Sequence, residues 1–574
     1  MPGSLNAADA VLKIFVYITD NYYRIFLKEG RLMSENDSNR HHYFRNLKSY
    51  SQEGENFQRL IKPKKGGLMR IIFSRFLIFA VLIILQVGLL LWFLSYARDK
   101  TEHYLAIERI FAFIMIMYLF SSSMDASAKL TWMFLISLAP VAGAGVLAYT
   151  KVNLGNRAVK RETKKQIENT KDFIEQPEGI LGELSYDGSH TDDLVRYLNR
   201  SGCFPAYKNT ETVFYPIGEE MFESMLRELE TAEKFIFLEF FIIEEGYMWG
   251  QILNTLIRKA EEGVVVKVMY DGMCELSTLS ADYASRLEAV GIEAKPFSPL
   301  LPLMSSHYNY RDHRKILVID GKTAFTGGVN LADEYINRIE RFGHWKDTGI
   351  MLKGDAVKSF TLMFLQMWNT VKGSADYDAF VNNVPEYDPP DSRGYVIPYC
   401  DCPLDDDKVG ESVYMDILNR AGSYVHIMSP YLVLDGELET ALCYAAERGV
   451  DVKLILPGKP DKITAYSLAK THYHKLYASG VKLYEYVPGF VHAKLFVSDD
   501  IKAVVGTINL DYRSLYHHFE CAAYLYKTDC IKEIEKDFQE TLKKCRAVSP
   551  QTVKEDDLKY KIIGPIMKFV APLM

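Results

Sequence analysis

At two places in this chain a histidine and a lysine stand two residues apart and are followed at the same intervals by aspartate, glycine and asparagine. His313-Arg-Lys315-Ile-Leu-Val-Ile-Asp320 runs on, after six residues, to Gly327-Gly328-Val329-Asn330. His492-Ala-Lys494-Leu-Phe-Val-Ser-Asp499 runs on, after six residues, to Gly506-Thr507-Ile508-Asn509. So many positions fixed twice at one spacing are not a chance repeat. In a strand, residues i and i+2 share a face, so each histidine projects with its lysine. Asn330 and Asn509 add neutral amides that can bind an oxygen. Set face to face, the two copies give two imidazoles, two ammonium groups and two amides, a pocket suited to a phosphodiester whose charge spreads in the transition state. One histidine can attack phosphorus; the other can protonate the departing alcohol and deprotonate the incoming one. The symmetry of the repeat leaves open which does which.

Each imidazole also needs a carboxylate to orient it. Asp347, in His344-Trp345-Lys346-Asp347-Thr348, is the candidate for His313, and Glu520 for His492. Asp320 and Asp499 complete the candidate catalytic set by motif. They sit five residues beyond the lysines, on the opposite side of an ideal strand, which is also a structural position. The exchange of one phosphodiester for another needs no nucleotide, and no cofactor or metal is expected. Gly321-Lys322-Thr323 mimics the end of a P-loop, but Ile316 stands where the first glycine belongs. His472 and His474 lack a clear third ligand.

The elements that must carry these residues are legible as strands and helices. Phe235-Ile-Phe-Leu-Glu-Phe-Phe-Ile-Ile243 is a nearly continuous apolar run, a helical pattern follows to Glu262, and Val264–Tyr270 closes at Asp271-Gly272. The order returns as Tyr424–Met428, a helix near Gly436–Arg448, and Val450–Leu456 closed by Pro457-Gly458. The expected fold is α/β: two similar halves, each a mainly parallel mixed sheet flanked by helices. The expected organisation is an extension over 1–57, a membrane anchor over 58–150, a linker over 151–200, a first repeat over 201–395, and a second over 396–574.

Phe76–Tyr96 and Leu130–Tyr149 are uncharged apolar runs long enough to span the ~30 Å hydrocarbon core. A weaker segment lies over 104–120, with Ile110–Phe120 as its apolar part. Basic residues flank both ends, Arg59 to Arg75 before and Lys151 to Lys165 after. The positive-inside rule then puts both ends, and the catalytic halves, on the cytoplasmic face of a multi-pass cell-membrane protein. An even number of crossings leaves the middle segment short of spanning. Val11–Lys28 has amphipathic spacing and Tyr560–Met574 mixes lysines with apolar residues, a composition for the headgroup boundary or for packing on its own domain. The net charge of −7 argues against a nucleic-acid partner. Eight scattered cysteines, Cys400 and Cys402 among them, lack zinc-like spacing and read as reduced thiols.

The doubled HxKx4D signature resembles that of the phospholipase D superfamily. The apolar N-terminal runs, Asn309-Tyr-Arg-Asp-His-Arg-Lys315, Gly328-Val-Asn-Leu-Ala-Asp-Glu-Tyr335, Asn509-Leu-Asp-Tyr-Arg-Ser514 and His518-Phe-Glu520 resemble its bacterial cardiolipin synthase branch, over roughly residues 70–574. The resemblance implies His313 as nucleophile and His492 as general acid and base. It implies a phospholipid substrate, phosphatidylglycerol, two of which give cardiolipin and glycerol. Hydrolysis to phosphatidic acid would use the same residues. An inactive membrane scaffold is the alternative from another class, disfavoured by two intact motifs; the spans and acidic balance oppose a nuclease. The DGx2AR motif of CDP-alcohol transferases is missing, because no Ala-Arg follows Asp271-Gly272. Oligomeric state is not encoded in any motif.

Overall fold

The computed structural model describes Ile84, Gln86 and Gly88, and residues 101–571 apart from 123, 152–153, 299–309, 372–374, 383, 385–391, 406 and 556. The extension over 1–57, its Val11–Lys28 pattern, and all of Phe76–Tyr96 except those three residues lie outside the described residues.

Two sheets form the body of the molecule. In the first half the strands are β1 (Thr210–Tyr215), β2 (Phe235–Phe240), β3 (Val265–Asp271), β4 (Glu293–Phe297), β5 (Lys315–Ile319), β6 (Thr323–Gly327) and β7 (Gly349–Gly354). The second half repeats them as β8 (Tyr395–Asp401), β9 (Tyr424–Met428), β10 (Asp451–Pro457), β11 (Lys482–Tyr486), β12 (Leu495–Ser498), β13 (Lys502–Gly506) and β14 (His518–Tyr526). Their spatial orders are β1-β7-β6-β5-β2-β3-β4 and β8-β14-β13-β12-β9-β10-β11, one topology used twice. Cys545–Ala547 adds an antiparallel edge to the second sheet.

The expectation of mainly parallel sheets needs correcting. Only β2-β3-β4 and β9-β10-β11 pair in parallel; every other pairing along the two orders is antiparallel. The strand–helix–strand units seen in the sequence are the parallel parts. The motif strands β5 and β12 instead turn back through three-residue connections, too short for the crossover that parallel pairing needs. Asp320 and Asp499 make those turns at φ of 54° and 55°.

These two aspartates are corrected as well. Asp320 accepts backbone N–H groups of Glu233, Lys234 and Phe235 at 2.7–2.8 Å. Asp499 does the same for Gly422, Ser423 and Tyr424, each at 2.8 Å. Each tethers the far end of its motif strand to the start of β2 or β9. They are structural and stand apart from the site.

The stretch expected to be a linker is folded. Ile180–Tyr186 and Thr191–Gly202 are helices, and Ile180, Leu184, Leu194, Val195 and Leu198 belong to the main apolar core. The helices ahead of it also differ from expectation. Thr101–Phe120 (α1) is one continuous helix, and its His103–Phe120 window is the one segment among the described residues long and apolar enough to cross a membrane. The weaker segment is therefore the long helix. Leu130–Tyr149 is no single span: it divides into α2 (Ala126–Leu138) and α3 (Pro140–Lys151). The break is at Ala139, whose φ of −145° and ψ of 81° are non-helical, as the ring of the following proline demands. Gln86 donates to Glu108 of α1 at 2.8 Å and accepts the Ala142 N–H of α3 at 3.0 Å, so the polar groups of these apolar segments satisfy one another.

Candidate active site

Reciprocal strand pairing between the halves builds the site. Arg311–Asp312, just ahead of His313, pairs in parallel with His518 and Phe519 of β14, and the His313 N–H donates to the Phe519 carbonyl at 2.9 Å. Gly489–Val491, just ahead of His492, pairs in parallel with His344–Lys346, and the His492 N–H donates to the Lys346 carbonyl at 2.7 Å. Each histidine is thus stitched to a segment of the other half. Arg311 fixes the first stitch from behind, with a 3.1 Å ion pair to the buried Asp271 at the end of β3.

That stitching crosses the acids. His313 Nδ1 lies 2.9 Å from both Glu520 carboxylate oxygens. His492 Nδ1 lies 2.7 Å from Asp347 Oδ2. The expectation that each acid serves the histidine of its own half is therefore overturned: the two are exchanged. Their spacing along one half could not reveal a partner brought in by the other.

Both acids are fully buried and further fixed. Asp347 Oδ1 accepts the Thr348 N–H at 2.9 Å, and the Thr507 hydroxyl donates to Glu520 Oε2. Gly328 and Thr507 hold matching motif positions with opposite uses. A Cβ at Gly328 would collide with the Asp347 carboxylate, whereas the Thr507 side chain binds the acid beside it.

His313 and His492 line one cavity of about 500 Å³, together with Asn330 and Asn509. With each Nδ1 engaged, Nε2 is the ring nitrogen left for chemistry. Phe241 and His518 pack around His313 with ring centroids 4.8 and 5.3 Å away. Tyr335 and Trp345, each at 5.4 Å, and Phe490 at 5.9 Å surround His492. These aromatics pack on the rings and were not given a role from the sequence. Their signal is adjacency: Phe241 extends the β2 run, Trp345 precedes Asp347 by two, and His518 precedes Glu520 by two.

Each lysine lies beside its own histidine. Lys315 and Lys494 lie buried beneath the histidines, each donating to the carbonyl of its own histidine, at 2.6 Å for Lys315. Lys494 Nζ also sits 3.0 Å from His492 Nδ1. They act on the cavity as buried charge. Asn330 is committed within the wall: its amide donates to the Tyr335 hydroxyl at 2.8 Å and its oxygen accepts the Ile242 N–H at 3.0 Å. Asn509 keeps a buried side-chain oxygen without a partner.

Burial, then the nearby cations, push both histidines down: His313 well below its ordinary value and His492 to about 4, against the upward pull of Asp347. Burial also lowers Lys315 to about 8 and Lys494 to about 7. The acids diverge. Burial drives Glu520 well above the usual carboxylate range, whereas at Asp347 the raising effect of burial is outweighed by His492 and Lys494. A phosphodiester anion between the rings opposes the burial effect and raises both imidazoles.

His313, His518 and Glu520 also offer three potential ligand atoms within 4.8 Å of one another. His472 is bound to Glu439 at 2.8 Å and His474 is exposed, so that pair is not a ligand set.

Comparison with known proteins shows the family. The family profile described as "Cardiolipin synthase, PLD-like domain" matches residues 225–368 and 414–542. A cardiolipin synthase of Geobacillus sp. (strain WCH70) is 33% identical over 454 residues, covering 78% of this chain and 88% of its own length. The chain belongs to the cardiolipin synthase family of the phospholipase D superfamily. Cardiolipin synthase 2 of Bacillus cereus is 32% identical over 471 residues, with 81% of this chain and 90% of the relative covered. An uncharacterized protein of Streptococcus mutans is 56% identical over 459 residues, 80% of this chain and 99% of that protein. In fold, the phosphatidylserine synthase of Haemophilus influenzae Rd KW20 superposes with a TM-score of 0.51 at 16% identity, over 67% of this chain and all of that one. Membership of the cardiolipin synthase family makes this chain a phospholipid phosphatidyltransferase.

Proposed function

We propose that this protein is a cardiolipin synthase, transferring a phosphatidyl group from one phosphatidylglycerol to another through a phosphohistidine at His313. The observation that carries the reading is the pair of crossed histidine–carboxylate contacts opening on one cavity.

The divergent acids support the division of labour. Asp347, held ionised, stabilises His492 as imidazolium once a phosphate anion is present, so His492 is the proton donor. Glu520 is pushed toward its neutral form and His313 away from its charged form, which keeps an imidazole lone pair for attack. In the first step His313 Nε2 bonds to phosphorus, the bond from phosphorus to the glycerol oxygen breaks, and His492 gives that oxygen its proton. In the second step a hydroxyl of another phosphatidylglycerol gives its proton to His492, its oxygen bonds to phosphorus, and the N–P bond breaks. Lys315, Lys494 and Asn509 offset the charge that develops on the phosphoryl oxygens.

The test is product analysis with purified full-length protein and phosphatidylglycerol vesicles. Cardiolipin and glycerol in equal amounts are expected. Phosphatidic acid as the main product would replace the synthase reading with hydrolysis by the same residues, and the absence of any turnover would favour a scaffold.

A further inference from the structure

The last helix, α5 (Leu558–Val570), packs against α4 (Ile463–Ala478) and ends beside the catalytic cavity, whose wall includes Ala571. Successive helical residues turn by about 100°, which sorts its side chains into arcs. Leu558, Ile562, Pro565, Ile566 and Phe569 fall in one arc. Lys561 and Lys568 fall along one edge of it and Lys559 along the other. The opposite arc carries Tyr560, Gly564 and Met567. Gly564 is pressed so close to α4 that a Cβ there would lie 2.6 Å from the Ser467 carbonyl oxygen. Tyr560 meets Tyr466 edge-on at 5.3 Å, and Met567 packs against Val433, Leu468, Tyr512 and Ala571.

The apolar arc is therefore the outward one. Leu558, Ile562 and Ile566 are 55–70% exposed. A second stripe continues it: Leu130, Phe134 and Leu138, at i, i+4 and i+8 of α2, are exposed to the same degree. The two stripes are joined where Phe134 meets Phe569 edge-on at 5.0 Å and the Thr131 hydroxyl donates to the Phe569 carbonyl at 2.7 Å. Through α2 the surface is continuous with α1, which is long and apolar enough to enter a membrane.

We infer that the outward face of α5, together with the α2 stripe, is a lipid-bilayer docking surface that sets the mouth of the catalytic cavity at headgroup depth. An apolar arc edged by lysines suits a helix lying in the interface, its side chains among the acyl chains and its ammonium groups among anionic headgroups. Lys559 is paired with Asp557 at 2.9 Å, but the Lys561 and Lys568 edge is locally basic on a protein whose net charge is −7, so charge complementarity favours an anionic membrane over a second copy of this acidic chain. With α5 seated, Ala571, Val433 and Tyr512 lie where a lipid headgroup leaves the bilayer plane, so the phosphate reaches His313 while the acyl chains remain in hydrocarbon. The inference rests on phospholipids being the substrate, but not on the acceptor alcohol.

The test compares full-length wild type with an Ile562→Asp/Ile566→Asp double variant on two substrates: vesicles rich in phosphatidylglycerol and monomeric dihexanoyl-phosphatidylglycerol. Total phosphatidyl turnover, cardiolipin plus phosphatidic acid, is scored, so a hydrolase would test the surface equally well. The vesicle rate is expected to fall at least tenfold while the rate on monomers changes less than twofold. Lys559→Glu/Lys561→Glu/Lys568→Glu, which leaves the packed arc intact, is expected to lower the vesicle rate most at low salt and high anionic fraction. An unchanged vesicle rate in both variants overturns the proposal. So does an equal loss on both substrates in both variants, or a shift from dimer to monomer in detergent with the vesicle rate intact, which would mark the arc as a contact between copies.

Discussion

Glu520→Gln and Asp347→Asn, made one at a time, separate the two histidines chemically. Both should cost about 10²- to 10⁴-fold in turnover, the range of a positioned acid–base group. Because Asp347 serves His492, Asp347→Asn should recover most of its loss in the first step on a phosphatidyl ester with a leaving group too acidic to need protonation, such as p-nitrophenol. Glu520→Gln should not recover, because its partner is the attacking ring. Release of p-nitrophenol in a single turnover reads this directly, and the opposite pattern would restore the uncrossed pairing. In the same assay His492→Ala should accumulate label on His313, and His313→Ala should carry none. Lys494 and Lys315 set the alkaline limit. Their burial-lowered values of about 7 and about 8 mean that each loses its proton, and its charge, as pH rises through those values. kcat/KM, which follows the free enzyme, should therefore decline from near pH 7 upward. Lys494→Arg, which stays charged, should move that decline to higher pH.

At the level of elements, the motif strands are held from their far ends. Asp320 and Asp499 each gather three backbone N–H groups, and each occupies a left-handed conformation in which aspartate and asparagine are tolerated better than most residues. Asp320→Ala should lower stability by about 3 kcal/mol, the order expected for losing hydrogen bonds to a charged group and leaving buried donors unpaired. Asp320→Asn should cost less. Thermal unfolding checks the cost, and activity per folded molecule should change less than threefold in both variants. A collapse of kcat in a folded Asp320→Asn protein would return this aspartate to the catalytic set.

For the whole molecule, the exchange of acids makes the two halves interdependent. Neither His313 nor His492 finds its carboxylate in its own half, and both contacts are made within one chain. Mixtures of His313→Ala and His492→Ala proteins should therefore stay inactive; recovered cardiolipin synthesis would place the site between copies. Turnover should also survive exhaustive chelation, since two imidazoles and two buried lysines supply nucleophile, acid and charge. Loss restored by one particular divalent ion would assign a metal to the His313, His518 and Glu520 atoms.

The doubled motif implied, from the sequence alone, two similar α/β halves and a pair of imidazoles, and the residues downstream of each copy offered the two acids that the structure sets against those rings. Such features survive in one dimension because strand periodicity and motif spacing are local. Local patterns also explain the misreadings. The parallel strand–helix–strand units are long and conspicuous, whereas the tight turns at Asp320 and Asp499 that fold the motif strands back antiparallel are three residues each. Hydropathy showed apolar length over Leu130–Tyr149, but the Pro140 break cuts it into α2 and α3, and Glu108, which made α1 look weak, is satisfied by Gln86. Only the tertiary structure decided which acid serves which histidine. That choice depends on Arg311–Asp312 pairing with β14 and on Gly489–Val491 pairing with His344–Lys346, contacts between segments far apart in the chain. The unequal environments of Glu520 and Asp347 were likewise fixed by which charged groups pack against each buried acid, a property of the assembled interior rather than of residue order.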